Sequence, residues 1–414
     1  MWNSAVLSST PQQAPGGKTA PRASGPGASA CCTAASRRPT GESVRIIYLH
    51  PEPFEPPSTG GRVRRASLYR ALKNLGHTVE LHFRSAVSTQ ARSSALTVTD
   101  SRNVPSRLNW PVRVTSPVEL RMLNDMIRVA RPDVAIAEYP AYGDLGPWAQ
   151  LHGVPLILVA QNYESGWSAL RNTGRSLLDH CVILSAEALY LRGASAVWAI
   201  SPEDAAQYAR VRGSNHVDYI PFSVPLPDAP TRQPRDDLPF SSLLFVGSYS
   251  WAPNVRAARF LAREVLPALR RLQPNVRMVF AGRNPPAWLR RLECDTLRVL
   301  GEVPDLAPHY RQADIVVAPE NVAFGVKTKI LEAMAHAKPV VTTSAGVRGI
   351  QATPSVDYVR APWNGAGFAR AVSTALADEN NLARLGSNAR SLIARHHTFE
   401  ATCSAIATSL ARFL

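Results

Sequence analysis

The stretch ADIVVAPENVAFGVKTKILEAMAHAKPVVTTS, residues 313–344, decides the fold. It opens on a short β-branched run that reads as a strand and passes through a polar loop closed by Gly325. It then continues into a segment whose Ile330, Leu331 and Met334 recur at helical spacing. A second β-branched run, PVVTT, ends it. Strand, loop, helix and strand in so short a span form the repeating unit of a parallel sheet covered by helices.

The same alternation extends in both directions. Upstream lie SLLFVGSYS (242–250), a helical pattern over about 254–272, VRMVFAG (276–282) and LRVLGEV (297–303); downstream, from about Phe368, the pattern is helical. An earlier series begins with VRIIYLH (44–50) and continues with RVRRASLYRALKNLGH (62–77). In that segment Val63, Leu68, Ala71, Leu72 and Leu75 keep a helical period and Gly76 is placed to stop it. TVELHF (78–83), PDVAIAEY (132–139), VPLILVAQN (154–162), an amphipathic stretch over 177–192, ASAVWAIS (194–201) and DYIPFSV (218–224) follow. Between the two series runs PLPDAPTRQPRDDLP (225–239), whose five prolines mark a linker. The expectation is an α/β protein of two doubly wound, Rossmann-like parallel-sheet domains facing across a cleft. Its organisation reads as a disordered Ser/Ala/Pro/Gly-rich leader over 1–43, domains at 44–225 and 241–395 around a linker at 226–240, and a helix at 396–414 crossing back to the first domain.

Composition agrees. A chain of 414 residues with 45% hydrophobic residues exceeds a typical single core and can build two. Cys31, Cys32, Cys181, Cys294 and Cys403 are odd in number and scattered, which suits neither a disulfide framework nor a metal site and fits a reducing, cytoplasmic setting. No window reaches the roughly 20 apolar residues of a membrane span. Lys and Arg total 46 against 31 Asp and Glu, a net charge of +15, which suits phosphorylated ligands or an anionic membrane surface, or is a solvated arginine-rich face. No interleaving of basic and aromatic residues of an RNA-binding kind is present, so nucleic acid is not an expected partner.

The chemistry concentrates at the start of the helix in the opening stretch. If that helix begins near Lys327, its first N–H groups lack intrahelical partners and the peptide dipoles leave partial positive charge there. Gly325 and Val326 bring backbone close to an anion, and Lys327 and Lys329 add full charge. Thr328, Glu332 and His336 share one face, four residues apart. A carboxylate one turn along can accept hydrogen bonds from both hydroxyls of a ribose whose diphosphate sits at the helix start. The alternative is a capped surface helix with Lys329 and Glu332 as an ion pair.

These residues resemble a known family. The run from 313 to 350, with LLFVGSYSWAPNVRAARFL (243–261) and LGEVPDLAPHYRQADIVVAP (300–319), looks like the carboxyl-terminal domain of GT-B glycosyltransferases of family 4. The resemblance implies that Lys327 contacts the donor diphosphate, that Glu332 holds the nucleotide ribose, and that Gly247, Gly325, Val326, Thr328 and Lys329 belong to the donor site. It implies a glycine-rich loop at Gly60, Gly61 and Arg62 closing over diphosphate and acceptor, and it places Gln161, Asn162 and Glu164 in the cleft. The sequence departs from the family at position 324, a phenylalanine where many members carry an acid, with Glu320 out of register. It departs again at Gln161, which stands where a histidine is common, and at Ser248 and Pro253 in place of a basic pair.

The implied activity is retaining transfer of a sugar from a nucleotide-diphosphate donor to a hydroxyl acceptor, in polysaccharide or glycoconjugate synthesis, with Lys327 and Gln161 as catalytic residues. Neither a cofactor nor a metal ion is expected, since no Asp-x-Asp cluster is suitably placed. The expected partners are the donor and a glycan or lipid-linked acceptor, with Arg62, Arg64 and Arg65 forming a basic face for peripheral contact with an anionic membrane. A non-catalytic GT-B protein that binds a nucleotide sugar or serves as a partner subunit is the second reading and a sugar-nucleotide epimerase the third. His50 is placed to reach the cleft, Trp251 and Trp288 line a pocket or pack, and Glu187 lies on a solvated helix face.

Overall fold

The computed structural model describes residues 43–51, 53–55, 60–85, 98–99, 115–161, 177–213, 216–228, 240–323 and 325–413. In the first half, β1 (Arg45–His50) leads into α1 (Gly60–Asn74), β2 (Thr78–Ser85), β3 (Val98–Thr99), α2 (Pro117–Ala130) and β4 (Val134–Tyr139). Then come α3 (Gly146–Leu151), β5 (Leu156–Ala160), α4 (Leu177–Gly193), β6 (Ala196–Ala199), α5 (Pro202–Arg212) and β7 (Val217–Tyr219). In the second half, β8 (Ser241–Val246) is followed by α6 (Ala252–Phe260), which runs through a π turn at Leu261–Val265 into α7 (Leu266–Leu272). Next are β9 (Val276–Ala281), α8 (Ala287–Arg290), β10 (Leu297–Gly301), α9 (Ala307–Gln312) and β11 (Ile315–Ala318). The chain continues with α10 (Thr328–Ala335), β12 (Val340–Thr342), β13 (Val359–Arg360), α11 (Gly365–Leu376), α12 (Glu379–His396) and α13 (Phe399–Leu410).

Among the described residues these strands form two sheets, in the orders β3-β2-β1-β4-β5-β6-β7 and β10-β9-β8-β11-β12-β13, with every neighbouring pair parallel. Each sheet is doubly wound: the chain moves outward from its first strand, then returns and continues on the other side. Strand residues divide accordingly between two covers. Ile47 and Leu49 of β1 pack with Leu123 and Trp148, while Ile46 and Tyr48 pack with Leu68 and Leu72 of α1 and with Ile406 and Leu410 of α13. In the second sheet Leu243 and Phe245 face Phe260, Leu261 and Phe368, while Leu244 and Val246 face Ile330, Leu331 and Met334 of α10. Each fully buried Leu or Ile contributes roughly 1.5–3 kcal/mol, so α13 is held to the first sheet by its Ile406 and Leu410.

Three sequence expectations change here. Gly60 and Gly61 are not in a loop; they are the first two residues of α1, which has no acidic residue in its first turn. Residues 220–224 do not continue the strand, because Pro221 has no N–H for a ladder and the carbonyls are taken elsewhere. Ile220 O accepts from Arg64, Pro221 O from Thr402, and Phe222 O meets His397 Nδ1. The arginine triplet forms no common exposed face: Arg64 is buried and Arg65 turns toward Glu138. Among the described residues no helix is long and apolar enough to cross a membrane.

Candidate functional site

A ligand in an open α/β sheet sits beyond the carboxyl ends of the strands, where the winding reverses. In this protein both reversal points, β1/β4 and β8/β11, open onto one cleft. Pro51 and Glu138 reach it from the first sheet, Gly247 and Glu320 from the second. Its volume of about 1060 Å³ lies at the upper end for small-molecule sites and has room for more than one ring system.

The wall from the second half is built on the start of α10. Lys327 is the N-cap, with β-region dihedrals; no side-chain cap closes the helix and no acidic side chain occupies its first turn, an arrangement that favours an outside anion. Gly325 just before it has φ of +61°, a conformation that suits glycine. Lys327 Nζ donates to Gly325 O at 3.2 Å. Burial pushes the Lys327 ammonium down to about 8, against the opposing pull of Glu320 and with Lys329 and Arg348 adding to the depression. A desolvated ammonium of this kind gains most when an anion arrives.

Lys329 is differently employed. Its Nζ is 2.5 Å from Glu320 Oε1, donates to Asn254 Oδ1 at 2.9 Å and lies 4.9 Å from the Phe245 ring centroid. Both members of the ion pair are buried, yet both border the cleft. Glu332, one turn along α10, accepts from the Tyr310 hydroxyl through Oε2 at 3.1 Å. Burial raises the Glu332 carboxyl and the Tyr310 bond lowers it. Tyr310 itself is fixed by a stack on His336, centroids 4.9 Å apart, so His336 supports this face from outside the cleft.

The opposite wall centres on Glu138, at the end of β4 and buried to 2% exposure. Its Oε1 accepts from Tyr48 at 2.9 Å, and its Oε2 accepts from Gln161 Nε2 at 2.9 Å and lies 3.6 Å from Arg65 Nε. With its amide nitrogen so engaged, Gln161 turns its carbonyl oxygen toward the start of α1, where a Cβ added at Gly61 would be 3.9 Å from it. A Cβ at Gly60 would lie 3.3 Å from Thr328 Cγ2. The starts of α1 and α10 therefore approach each other across the cleft, with no bulk between them.

Gly60, Gly61, Gln161, Gly247, Gly325, Val326, Lys327, Thr328, Lys329 and Glu332 all border this one cleft. Arg62 sits in the first turn of α1 but is not among the lining residues. Asn162, Glu164 and Phe324 lie outside the described residues, as do the leader up to residue 42 and the linker over 229–239. His50 does not reach the cleft: it is fully buried behind Glu138 among Tyr48, Phe54 and Phe83, and burial pushes it down to about 2, so it stays neutral. Glu187 is buried as well and accepts from Tyr139 at 3.2 Å, correcting its reading as a solvated residue. Trp251 lines the cleft mouth at 53% exposure, whereas Trp288 packs beneath Arg259 and Arg263. Sequence reasoning missed Glu138 and undervalued Glu320. The available signal was position: each is an acid at the carboxyl end of an otherwise apolar strand.

Comparisons with known proteins bear on this site. A model described as a glycosyl transferase 4-like domain matches residues 59–223, and one described as glycosyl transferases group 1 matches residues 241–378. No curated protein matches the sequence. Among solved structures, sucrose-phosphate synthase from Thermosynechococcus elongatus is similar with a TM-score of 0.66 at 18% identity, covering 88% of this chain and 98% of that one. HepE from Anabaena, solved with UDP and glucose, gives 0.60 at 16% identity over 89% and 99%. A glycosyltransferase from Rickettsia africae gives 0.64 at 13% over 87% and 96%. At these identities the structures speak for the fold, and the two family models together take in well over half of the chain. The protein belongs to the group 1 glycosyltransferases of the GT-B fold, and its chemistry is glycosyl transfer.

Proposed function

We propose that the protein moves a sugar, with retention, from a nucleotide-diphosphate donor to a hydroxyl of a glycan or lipid-linked acceptor in the making of a polysaccharide or glycoconjugate. The observation that carries this reading is the start of α10 opening into the cleft with Lys327 at its cap and Glu332 one turn further in. The diphosphate lies at the helix start, and the ribose diol donates to Glu332, whose Oε1 is available while Oε2 accepts from Tyr310. HepE, of similar fold, has been solved with UDP and with UDP-glucose, which supports a nucleotide-sugar donor.

Breaking the anomeric C–O bond leaves negative charge on the departing diphosphate and positive charge on the sugar ring. Lys327 and the N–H groups at the start of α10 meet the first charge from fixed positions, and the start of α1 at Gly60 and Gly61 meets it from the other side. These groups let the reaction proceed without a metal ion or other cofactor. The acceptor hydroxyl approaches from the first-domain wall, where Gln161 presents its carbonyl oxygen. Gln161 orients by hydrogen bonding and carries no proton. The proton of the acceptor passes to the leaving phosphate oxygen on the same face of the sugar, so no separate base is required. A cytoplasmic setting belongs to the same proposal.

Calorimetric titration of the full chain with UDP-, GDP- and ADP-sugars, followed by mass detection of the transfer product, tests it. An inverted product, or undiminished turnover in Lys327→Ala, overturns it. Tight donor binding with neither transfer nor hydrolysis favours the binding-protein reading, which Gln161 in the position of a histidine keeps in view.

A further inference from the structure

The two halves of the cleft are joined by a residue that no part of the reaction above uses. Arg348 lies in the turn after β12. Its Nη2 donates to Asp204 Oδ1 at 2.9 Å, and Asp204 belongs to α5 of the first half, buried to 2% at its side chain. Its Nη1 donates to the backbone carbonyl of Ala323 at 2.8 Å, in the loop that leads from Glu320 to Gly325 and Lys327. One planar guanidinium thus spans three elements: the first domain, the β12 turn and the diphosphate loop. A lysine, with a single ammonium, does not reproduce that fork.

The surroundings leave little play. Gly349, next in sequence, has φ of +80°. A Cβ built there would be 2.8 Å from Ser201 Cβ of the first half and 2.9 Å from Val326 Cγ2 of the loop. The β12 turn is therefore wedged between the cap of α5 and the residue beside Lys327. Asp204 is anchored on its own side as well, its N–H donating to the Ser201 hydroxyl at 3.0 Å. Arg348 and Asp204 both act on the Lys327 ammonium, in opposite directions, which places the pair within electrostatic reach of it.

We propose that Arg348 is a positioning residue, clasped by Asp204, that fixes the loop from Glu320 to Lys327 in register with the first domain. The loop's part in holding a diphosphate rests on the glycosyltransferase reading; the clasp itself does not. Without the bridge the loop keeps its glycine and lysine but loses its fixed distance from the start of α1, so the two helix starts no longer converge on one anion.

Hydrogen exchange on the full, ligand-free chain tests this directly. In Arg348→Lys and in Asp204→Asn, the backbone amides of residues 321–328 are expected to exchange at least ten-fold faster. Those of β8 and β11 stay unchanged, and the urea unfolding midpoint moves little. The double variant should exchange no faster than the quicker single one, since either change opens the same clasp. Calorimetry with UDP as the probe should show weaker binding in all three proteins. Loop exchange equal to wild type in a folded Arg348→Lys protein overturns the proposal. So does acceleration spread evenly over the whole second domain, which marks Arg348 as a general stabiliser. If wild type binds no nucleoside diphosphate yet the loop alone loosens in the variants, the clasp stands and the donor reading falls.

Discussion

The two walls of the cleft handle charge in opposite ways. On the second-domain wall, Lys327 is held at a helix start, partly stripped of water, with its ammonium depressed to about 8. On the first-domain wall, the buried Glu138 carboxylate is surrounded by Tyr48, Gln161 and Arg65. One wall gains from an arriving anion; the other is already satisfied and gives shape. The difference teaches that donor affinity should reside in electrostatics at α10, and acceptor placement in a preorganised hydrogen-bond cluster.

The sharpest contrast is between two lysines two residues apart. Lys329→Ala removes the partner of a buried carboxylate, and breaking such a pair from one side costs about 3–5 kcal/mol. Urea unfolding should show that loss, and Glu320→Gln in the same background should recover much of it. Lys327→Ala should leave unfolding nearly unchanged and lower turnover about 10²–10³-fold, as removal of one fixed stabilising group at a developing anion does. If Lys327→Ala unfolds and Lys329→Ala merely slows transfer, the roles given to the two lysines are reversed.

Much of this was legible in the sequence and some was not. Alternating apolar runs and helical periods exposed the two sheets, and the helix over 328–335 announced its own start through Gly325 and the lysines. What stayed hidden was long-range partnership. Nothing local to Lys329 says that it reaches Asn254 and Glu320, and nothing near Arg64 says that it is buried under residues some 150 positions away. His50 looked like a cleft residue because it ends a strand at the reversal point. The aromatic rings of Tyr48, Phe54 and Phe83, from separate segments, enclose it instead.

On the first-domain wall the expected effects are smaller. Glu138→Gln keeps shape but offers an amide where a carboxylate fixed the Gln161 amide, so Gln161 can turn either way. Transfer to acceptor should fall about 10–10²-fold, on the scale of one charge-assisted hydrogen bond, about 1.5–3 kcal/mol. Donor affinity measured by calorimetry should not move. A matching loss of donor affinity would erase the division between the walls.

Acidity sharpens the comparison further, because both titrating groups of note lie on the second-domain wall. In the proposed complex Lys327 holds the diphosphate only when charged, so donor affinity should decline as pH rises through about 8, by at most ten-fold per unit. Below that value the contribution of the lysine is fully present. In calorimetry at pH 8, binding should take up protons, since an anion restores the ammonium; binding that is indifferent to buffer ionisation would contradict the depressed value.

Glu332 governs the acid side, and with the smallest effect. Its carboxyl is raised by burial, so the ionised form, which in the proposed complex accepts a ribose diol, is lost on acidification earlier than an exposed glutamate would lose it. The Tyr310 hydroxyl, 3.1 Å from Oε2, works against that rise by donating to the ionised form. Tyr310→Phe removes the donor while keeping the ring that stacks on His336. The pH at which UDP affinity begins to fall should therefore move upward in the variant, with about 1 kcal/mol lost at the lower end and little change near neutrality, the usual worth of one hydrogen bond. Titration of UDP between pH 5 and 8 reads it. A uniform loss at every pH would mean that Tyr310 holds α10 in place and does not tune its carboxylate. A shift in the opposite direction would mean that the hydroxyl accepts from a protonated Glu332 and favours the acid form.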